Sequence, residues 1–404
     1  MGKRRSLNPS RSFKCCRVRH RAARARCDAP VVPTLRLLFL TFVCMSLSSC
    51  LRGQTPAGSR APKESSSLPA NDPHVAVMGR TLTGSDGSLR FGYPGVTLRV
   101  AFTGTSLALE GGSTSGNSRL AVSADLGAPS VVRLPQGSAR VMLVEGLDEG
   151  PHQVDLVHRT ETWQGIVSVR GFVLPEGRSL LAPKPWPERR LMLIGDSVTS
   201  GEGAGRSASC ENDKPAGASA YDSYGMRLAR ALGAQVHLIS YGGRGLVRDW
   251  QGKTDVLNAP QFFQLTIAED SPKVLWNHAT YRPDLVLVSL GTNDFNLALG
   301  APPERGDYVG TYVAFVKTIR GVYPEARVIL TEGAMLNDAD SSRPQKSTLR
   351  SYLQDTVSQL ADEHVRFVPS SHYPGDACDA HPTGEQHAAM AADLEPVVRE
   401  MTGW

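Results

Sequence analysis

Hydrophobic and polar residues alternate in short runs through the first half of the chain. Between about residues 74 and 181 the runs are separated by glycine-rich turns, such as 111–112 and 146–150. Alternation with a period of two indicates strands that are buried on one face, and many short strands at this spacing are typical of a β-sandwich or jelly roll. The predicted strands lie at 97–102, 119–123, 131–134, 141–144, 153–157 and 166–169.

The pattern changes after the proline-rich segment 182–187, which we interpret as a hinge between two domains. Continuous apolar runs then alternate with segments whose apolar residues recur at helical spacing. Buried strands alternating with helices predict an α/β domain of three layers with a parallel, flavodoxin-like sheet. The strands are predicted at 191–194, 236–240, 285–290, 327–330 and 365–368, and the helices at about 221–232, 308–322, 348–364 and 384–401.

Four segments follow from these patterns. We predict a leader over 1–50, a flexible tether over 51–72, a jelly-roll β-sandwich domain over 73–183 and an α/β domain over 184–404. The tether is assigned from its composition, which is rich in Gly, Pro and Ser and poor in apolar residues.

The leader has the features of an export signal. An apolar run at 35–47 follows a basic segment and is too short to span a membrane comfortably. It ends in Leu47-Ser48-Ser49-Cys50, which resembles the bacterial lipobox, where the cysteine is lipidated; an ordinary signal peptide is the alternative. We therefore expect an exported protein, either a cell-envelope lipoprotein that meets the membrane only through its lipid anchor or a secreted protein. Residues 1 to about 30 are either a charged presequence or a start-site overcall.

The distribution of charge along the chain bears on which partners it binds. The formal net charge is +5, but residues 1–49 hold eleven Lys and Arg residues and one acidic residue. The remaining residues hold 33 basic and 38 acidic side chains, a balance of −5. Because the body of the chain carries no basic excess, we expect no nucleic-acid partner.

Candidate chemistry lies at the ends of the predicted parallel strands, where open α/β sheets bind their ligands. Ser197 follows the strand 191–194 and Gly195, and it is a candidate nucleophile, although a single serine there more often caps the next helix. Asn293 follows the third strand, and His381 lies in a loop near the C terminus. A serine, a base and an amide donor in this arrangement favour cleavage of an ester.

This set of loops resembles the SGNH (GDSL-type) hydrolases, in the same order across the whole second domain. The resemblance implies that Ser197 is the nucleophile and His381 the general base. It also implies an oxyanion hole formed by the Ser197 N–H, the Asn293 side-chain amide and a glycine N–H from the loop after the second strand. We expect Gly245 to supply this N–H, with Gly243 as the alternative, since one sequence does not determine the register of the turn.

The histidine loop departs from the common pattern, in which an acid stands three residues before the histidine. Cys378 occupies that position, and Asp379 is the expected partner of His381, with Asp376 or a backbone carbonyl as alternatives. This departure resembles carbohydrate esterase family 2, which places a β-sandwich before its hydrolase domain and has members with an Asp-x-His pair or no acid. The segments that carry this resemblance are 159–161, 243–248, 291–295 and 378–382.

The resemblance implies a serine esterase that removes O-acetyl groups from carbohydrate, either a xylan- or mannan-type polysaccharide or an oligosaccharide, through an acyl-enzyme. Acetylated carbohydrate is then the partner, and no metal or organic cofactor is expected. The residues alone support only ester hydrolysis, so other acyl esters, such as those on cell-wall sugars, are an alternative. A surface-tethered, non-catalytic glycan-binding protein is another, but the presence of Ser197, Asn293 and His381 disfavours it.

Two cysteines remain outside the leader, Cys210 and Cys378, and both lie in loops beside the proposed active-site segments. In an exported domain a single pair is a candidate disulfide. Two free structural cysteines are the alternative.

Overall fold

The computed structural model of the chain describes residues 67–206, 210 and 217–404. The predicted leader, the proposed lipidation site Cys50 and most of the predicted tether lie outside the described residues. The described part falls within one compact unit, Ala61–Trp404.

Twelve strands of the described chain form two antiparallel sheets before residue 182. In one sheet the spatial order is 3-4-11-6-9, with strand 1 also beside strand 11; in the other it is 12-5-10-7-8, with strand 2 also beside strand 5. In chain order the strands are β1 (Ser67–Pro69), β2 (Val75–Met78), β3 (Leu82–Thr83), β4 (Leu89–Phe91), β5 (Thr97–Thr103), β6 (Leu107–Ser113), β7 (Arg119–Ala124), β8 (Ser130–Arg133), β9 (Ala139–Val144), β10 (Pro151–His158), β11 (Val167–Val173) and β12 (Leu180–Leu181).

The predicted alternation builds the core of this sandwich. In β5, Leu98, Val100 and Phe102 are buried, whereas Arg99 lies between them and pairs with Asp155 of the neighbouring strand at 2.8 Å. Apolar residues of the other sheet join the same cluster, so the two sheets bury their facing surfaces against each other. These residues are Phe91, Leu107, Leu109, Val167, Val169 and Phe172.

The sandwich begins earlier than the sequence indicates. The predicted tether over 51–72 includes β1, which pairs antiparallel with β11, with Ser67 opposite Val173. The polar composition suggested a tether, but edge strands are stabilised by backbone hydrogen bonds and need few apolar side chains.

Five parallel strands follow, in the order β14-β13-β15-β16-β17. The first strand of this domain, β13, therefore lies second in the sheet. In this doubly wound order, ligands bind at the carboxyl end of that strand. The strands are β13 (Arg190–Gly195), β14 (Gln235–Ser240), β15 (Leu285–Leu290), β16 (Arg327–Glu332) and β17 (Val365–Phe367).

Helices cover both faces of this sheet. Leu191 and Leu193 of β13 pack in one cluster with the helices Tyr224–Leu232 and Gly384–Thr402. Met192 and Ile194 pack in another with the helices Arg305–Val322 and Gln345–Leu360 and with residues of the sandwich. The helices are α1 (Ser197–Ser200), α2 (Tyr224–Leu232), α3 (Ala259–Phe262), α4 (Arg305–Val322), α5 (Gln345–Leu360) and α6 (Gly384–Thr402). The prediction of a three-layer α/β domain preceded by a β-sandwich is confirmed. Within the described residues, no helix has the length and apolar content needed to cross a membrane.

Candidate active site

Ser197 lies at the carboxyl end of β13, beside the point where the strand order reverses. The last residue of the strand, Gly195, has no room for a side chain: a Cβ would lie 2.8 Å from Thr199 Cβ and 2.9 Å from the Ser289 carbonyl oxygen. Asp196 then caps α1 by accepting the N–H of the second residue of the helix at 3.0 Å. The strand, the turn and the cap together place Ser197 at the N terminus of this short helix.

Three side chains form a continuous hydrogen-bonded chain at this point. Ser197 Oγ lies 2.9 Å from His381 Nε2, and His381 Nδ1 lies 2.6 Å from Asp379 Oδ1. The same Asp379 oxygen accepts the backbone N–H of His381 at 2.8 Å, so a tight turn holds the carboxylate against its own histidine. This geometry allows His381 to take a proton from Ser197 while Asp379 stabilises the resulting imidazolium.

The electrostatics of the pair agree with that role. Burial lowers the pKa of His381, but the hydrogen bond and negative charge of Asp379 outweigh it, and the net pKa lies above the usual value. The hydrogen bond to His381 in turn holds the pKa of Asp379 well below its usual range. Asp379 is therefore ionised throughout the range in which the histidine titrates.

The loop that carries these two residues is fastened to the loop after α1. Arg206 Nη2 donates to Asp376 Oδ1 at 3.0 Å and to the carbonyl oxygens of Asp379 and His381 at 3.3 and 3.2 Å. Asp376 also accepts the backbone N–H of Cys378 at 2.9 Å. Asp376, one alternative partner of the histidine, thus faces Arg206 and its own loop.

A disulfide joins the same two loops. Cys210 and Cys378 are bonded in the structure, with their Cα atoms 5.2 Å apart. Because Cys378 immediately precedes Asp379, this bond restrains the turn that presents the carboxylate.

A cleft of about 510 Å³ opens above Ser197, and Asn293, Asp379 and His381 line it. Asn293 follows β15, as the sequence predicts. Its Nδ2 donates to the Arg244 carbonyl oxygen at 2.8 Å and lies 3.4 Å from Asp196 Oδ2, which holds the side-chain amide next to Ser197.

The two candidate glycines of the turn after β14 lie in different surroundings. Gly242 and Gly243 line the cleft, whereas Gly245 is not among the lining residues. A Cβ on Gly245 would lie 2.6 Å from the carboxyl carbon of Asp294, so the Cα of this glycine packs closely against that side chain. Gly243, the alternative in the sequence analysis, therefore borders the cleft whereas the preferred Gly245 does not, and the choice of donor stays a prediction.

Asp294 organises the segment behind that turn. Its carboxylate is fully buried and accepts the backbone N–H groups of residues 246, 247 and 248 at 2.9 to 3.1 Å. Burial raises its pKa, and burial likewise raises the pKa of Asp196 to about 6. Both acids hold loops in place.

A buried glutamate of the sandwich domain also lines the cleft. Glu161 lies between β10 and β11, is 1% exposed, and its Oε2 accepts the Gly242 N–H at 2.9 Å. Burial, followed by the nearby charge of Glu202, raises the pKa of Glu161 to about 8. The sequence analysis did not predict this contact; the only sequence signal was that the segment 159–161 resembles the esterase family. Nothing in the sequence indicated the role of Arg206.

Two tryptophans border the cleft on its solvent side. Trp163 and Trp250 are 47% and 55% exposed, and both also line an adjoining hollow of about 290 Å³. Trp276 instead packs against the hydrophobic core.

The other buried histidines serve the packing of the domains. His158, for example, bonds the Tyr93 carbonyl oxygen at 2.8 Å, and burial lowers its pKa to about 4. In the parts of the chain that the structure describes, no three His, Cys, Asp or Glu side chains are grouped to hold a metal ion.

Family models match both domains. Residues 77–185 match the N-terminal domain of carbohydrate esterase 2, and residues 193–393 match the GDSL-like lipase/acylhydrolase family.

Known proteins resemble the chain over most of its length. An acetylxylan esterase / glucomannan deacetylase of Cellvibrio japonicus is 41% identical over 358 residues, which cover 89% of this chain and 96% of that protein. A solved family two carbohydrate esterase from Cellvibrio japonicus superimposes with a TM-score of 0.79 at 42% identity, covering 84% of this chain and 99% of the other. A family two esterase from Clostridium thermocellum, solved in complex with cellohexaose, gives 0.75 at 26% identity, covering 82% and 99%.

The resemblance stated from the sequence is therefore confirmed, because it holds for both domains at once. With a relative above 40% identity that is covered almost completely, the chain belongs to carbohydrate esterase family 2.

Proposed function

We propose that this protein is a serine esterase that removes O-acetyl groups from a carbohydrate through an acetyl-enzyme. The observation that carries the proposal is the unbroken hydrogen-bonded chain from Ser197 through His381 to Asp379, which opens directly onto the cleft.

In this mechanism Ser197 Oγ attacks the acetyl carbonyl carbon while His381 Nε2 takes the serine proton. The carbonyl oxygen becomes an oxyanion, which accepts hydrogen bonds from the N–H groups of Ser197 and Gly243 and from the Asn293 amide. Each such donor contributes on the order of 3 kcal/mol to the transition state.

The tetrahedral intermediate then collapses. His381 returns the proton to the sugar oxygen, the C–O bond breaks and the deacetylated sugar leaves. Water next attacks the acetyl-enzyme, again giving its proton to His381, and acetate departs as Ser197 recovers its proton. Asp379 stays ionised through both steps.

Three features support a carbohydrate as the substrate class. The cleft is open to solvent and continues past Trp163 and Trp250 into a polar hollow with Arg244, Asp249 and Lys253. Exposed indole rings offer flat apolar faces, and polar groups beside them offer hydrogen-bond partners for hydroxyls. The Cellvibrio japonicus relative carries the name acetylxylan esterase / glucomannan deacetylase.

The test is acetate release by the chain from residue 51 onward, acting on p-nitrophenyl acetate, acetylated xylan and acetylated glucomannan. We expect Ser197→Ala and His381→Ala each to lower kcat by about 10³-fold or more. His152→Ala is the matched control, because His152 pairs with Asp125 at 2.7 Å on the sandwich surface, away from the cleft.

Each other outcome favours a different function. If only small synthetic esters are cleaved, the substrate is another acyl ester. If the intact protein releases no acetate but retains polysaccharide, the protein is a glycan-binding protein and the esterase proposal fails.

For its location, we propose export followed by lipid attachment to Cys50. The apolar run 35–47 and the sequence before Cys50 support this. Membrane fractionation of cells that express the full chain tests it: Cys50→Ala should move the protein to the soluble or secreted fraction, and unchanged membrane association would contradict the anchor.

A further inference from the structure

We propose that Glu161 of the sandwich domain is a positioning residue for the oxyanion-binding turn of the hydrolase domain. By holding the Gly242 N–H, its carboxyl group sets the direction of the following N–H, that of Gly243. This inference rests on the proposed esterase function, and it assigns the sandwich a direct part in building the active site.

The first argument is the contact between the two domains at the turn. The Gly242 N–H donates to Glu161 Oε2 at 2.9 Å, and a Cβ on Gly242 would lie only 2.5 Å from that oxygen. One residue later in the sandwich, Thr162 Oγ1 donates to the Ser240 carbonyl oxygen at 2.6 Å. The same sandwich segment thus holds the turn at its start and at its middle.

The second argument is the rigidity of the carboxyl group itself. Gln164 Oε1 accepts the backbone N–H of Glu161 at 2.9 Å, and the Glu161 carbonyl accepts the Gln164 N–H at 3.0 Å. Only 1% of Glu161 is exposed, and its carboxyl group is enclosed between the sandwich and the glycine turn. A group held this way fixes the peptide that it contacts, which is how preorganised oxyanion sites avoid reorganisation during the reaction.

The third argument concerns charge. Burial raises the pKa of Glu161 to about 8, so near pH 7 the group is mostly a neutral acid whose carbonyl oxygen accepts the Gly242 N–H. The titratable groups that face it are Glu202 after α1 and His381, and Asp379 lines the same cleft. Because a neutral acid adds no negative charge beside a developing oxyanion, the protonated form suits this position; ionisation above pH 8 would oppose the reaction.

The experiment compares Glu161→Ala and Glu161→Gln with the wild-type protein in p-nitrophenyl acetate hydrolysis from pH 6 to 10. Thr160→Val is the matched control: Thr160 is equally buried in the same segment, but its hydroxyl bonds His158 and the Arg119 N–H instead of the turn. Circular dichroism and thermal unfolding report whether each variant folds.

We expect Glu161→Ala to lower kcat about tenfold to a hundredfold with little change in KM, because oxyanion contacts form in the transition state. Glu161→Gln keeps an acceptor oxygen, so kcat at pH 7 should stay within about threefold of wild type. We also expect the rate of the wild type to decline above pH 8, and the rate of Glu161→Gln not to. Thr160→Val should change stability but not kcat.

Two results would overturn the inference while leaving the esterase function intact: an active wild type with full kcat in Glu161→Ala, or a folded Glu161→Gln that loses as much kcat as Glu161→Ala. If Glu161→Ala does not fold, the kcat and pH profile of Glu161→Gln decide the matter. An inactive wild type would instead refute the proposed function.

Discussion

Replacing Asp379 by asparagine tests how His381 is oriented. In the structure Asp379 Oδ1 contacts both the Nδ1 and the backbone N–H of His381, at 2.6 and 2.8 Å. An asparagine can put its amide oxygen in the same place and keep both contacts. The change therefore removes the negative charge while preserving the geometry.

The expected loss follows from the strength of that contact. A hydrogen bond to a charged group contributes about 1.5–3 kcal/mol, against about 1 kcal/mol for a neutral pair. In the active form of the enzyme His381 starts as neutral imidazole and becomes imidazolium along the reaction path, so a difference of about 1–2 kcal/mol lowers kcat about fivefold to thirtyfold. The carboxylate is 37% exposed, and solvent screening favours the lower part of this range.

The pH profile gives a second readout. The pKa of His381 is raised because Asp379 outweighs the effect of burial, and only the neutral imidazole accepts the serine proton. Asp379→Asn removes the contribution that raises this pKa, so the acid limb of kcat/KM should move to lower pH. The deficit of the variant should consequently shrink as the pH falls below the wild-type limb.

Acetate release or p-nitrophenyl acetate hydrolysis from pH 4 to 9 measures both effects. Asp376→Asn is the control, because Asp376 bonds Arg206 and its own loop and should leave the acid limb in place. A kcat within about twofold of wild type, with an unmoved limb, would refute the reasoning and point to a histidine held by the backbone. A loss beyond about 10³-fold would mean that the asparagine flips and donates its NH₂ to the ring.

Two further predictions concern stability. Converting both Cys210 and Cys378 to serine should lower the free energy of unfolding by about 2–4 kcal/mol. It should also reduce kcat, because the disulfide restrains the catalytic loop. Equal melting temperatures and rates with and without reductant would contradict this. Arg80 is fully buried and donates to the carbonyl oxygens of Phe263 and Leu265, both at 2.7 Å. Arg80→Ala should lower the free energy of unfolding by about 3–5 kcal/mol, because it leaves a cavity and two unpaired carbonyl oxygens. Chemical unfolding measures that loss, Arg80→Lys should lose less, and a change below 1 kcal/mol would disprove the structural role.

The layout of the hydrolase domain could be predicted because its signals are local and strong. The strands β13, β15 and β16 contain continuous apolar runs, and β15 has the bounds that the sequence predicts, 285–290. The polar residues that follow β13 and β15 must come together once the sheet forms, since parallel strands end at one edge. The proximity of Ser197 and Asn293 therefore follows from the pattern of the chain.

The register of the glycine turn could not be predicted in the same way. Gly243 and Gly245 are both glycines in one short loop, and the packing of Gly245 depends on Asp294, which lies about 50 residues away in the chain yet bonds the backbone after Gly245. A tertiary contact therefore determines how this turn packs. Nothing local to the loop encodes it.

The place of Glu161 depends on how two domains meet. A glutamate between two strands of a sandwich is usually a solvated residue, and the local pattern offers no reason to bury it. It is buried because the sandwich packs against the end of β14. There the Gly242 N–H lies beyond the last residue of the β13–β14 pairing and donates to this carboxyl group. In the proposed mechanism the hydrolase domain supplies the nucleophile, the general base and its carboxylate partner, and we propose that the sandwich supplies the group that holds the oxyanion-binding turn. A sandwich that only bound glycan could be joined by a flexible linker; one that positions the turn must be packed rigidly, and the shared hydrophobic cluster of the two domains meets that requirement.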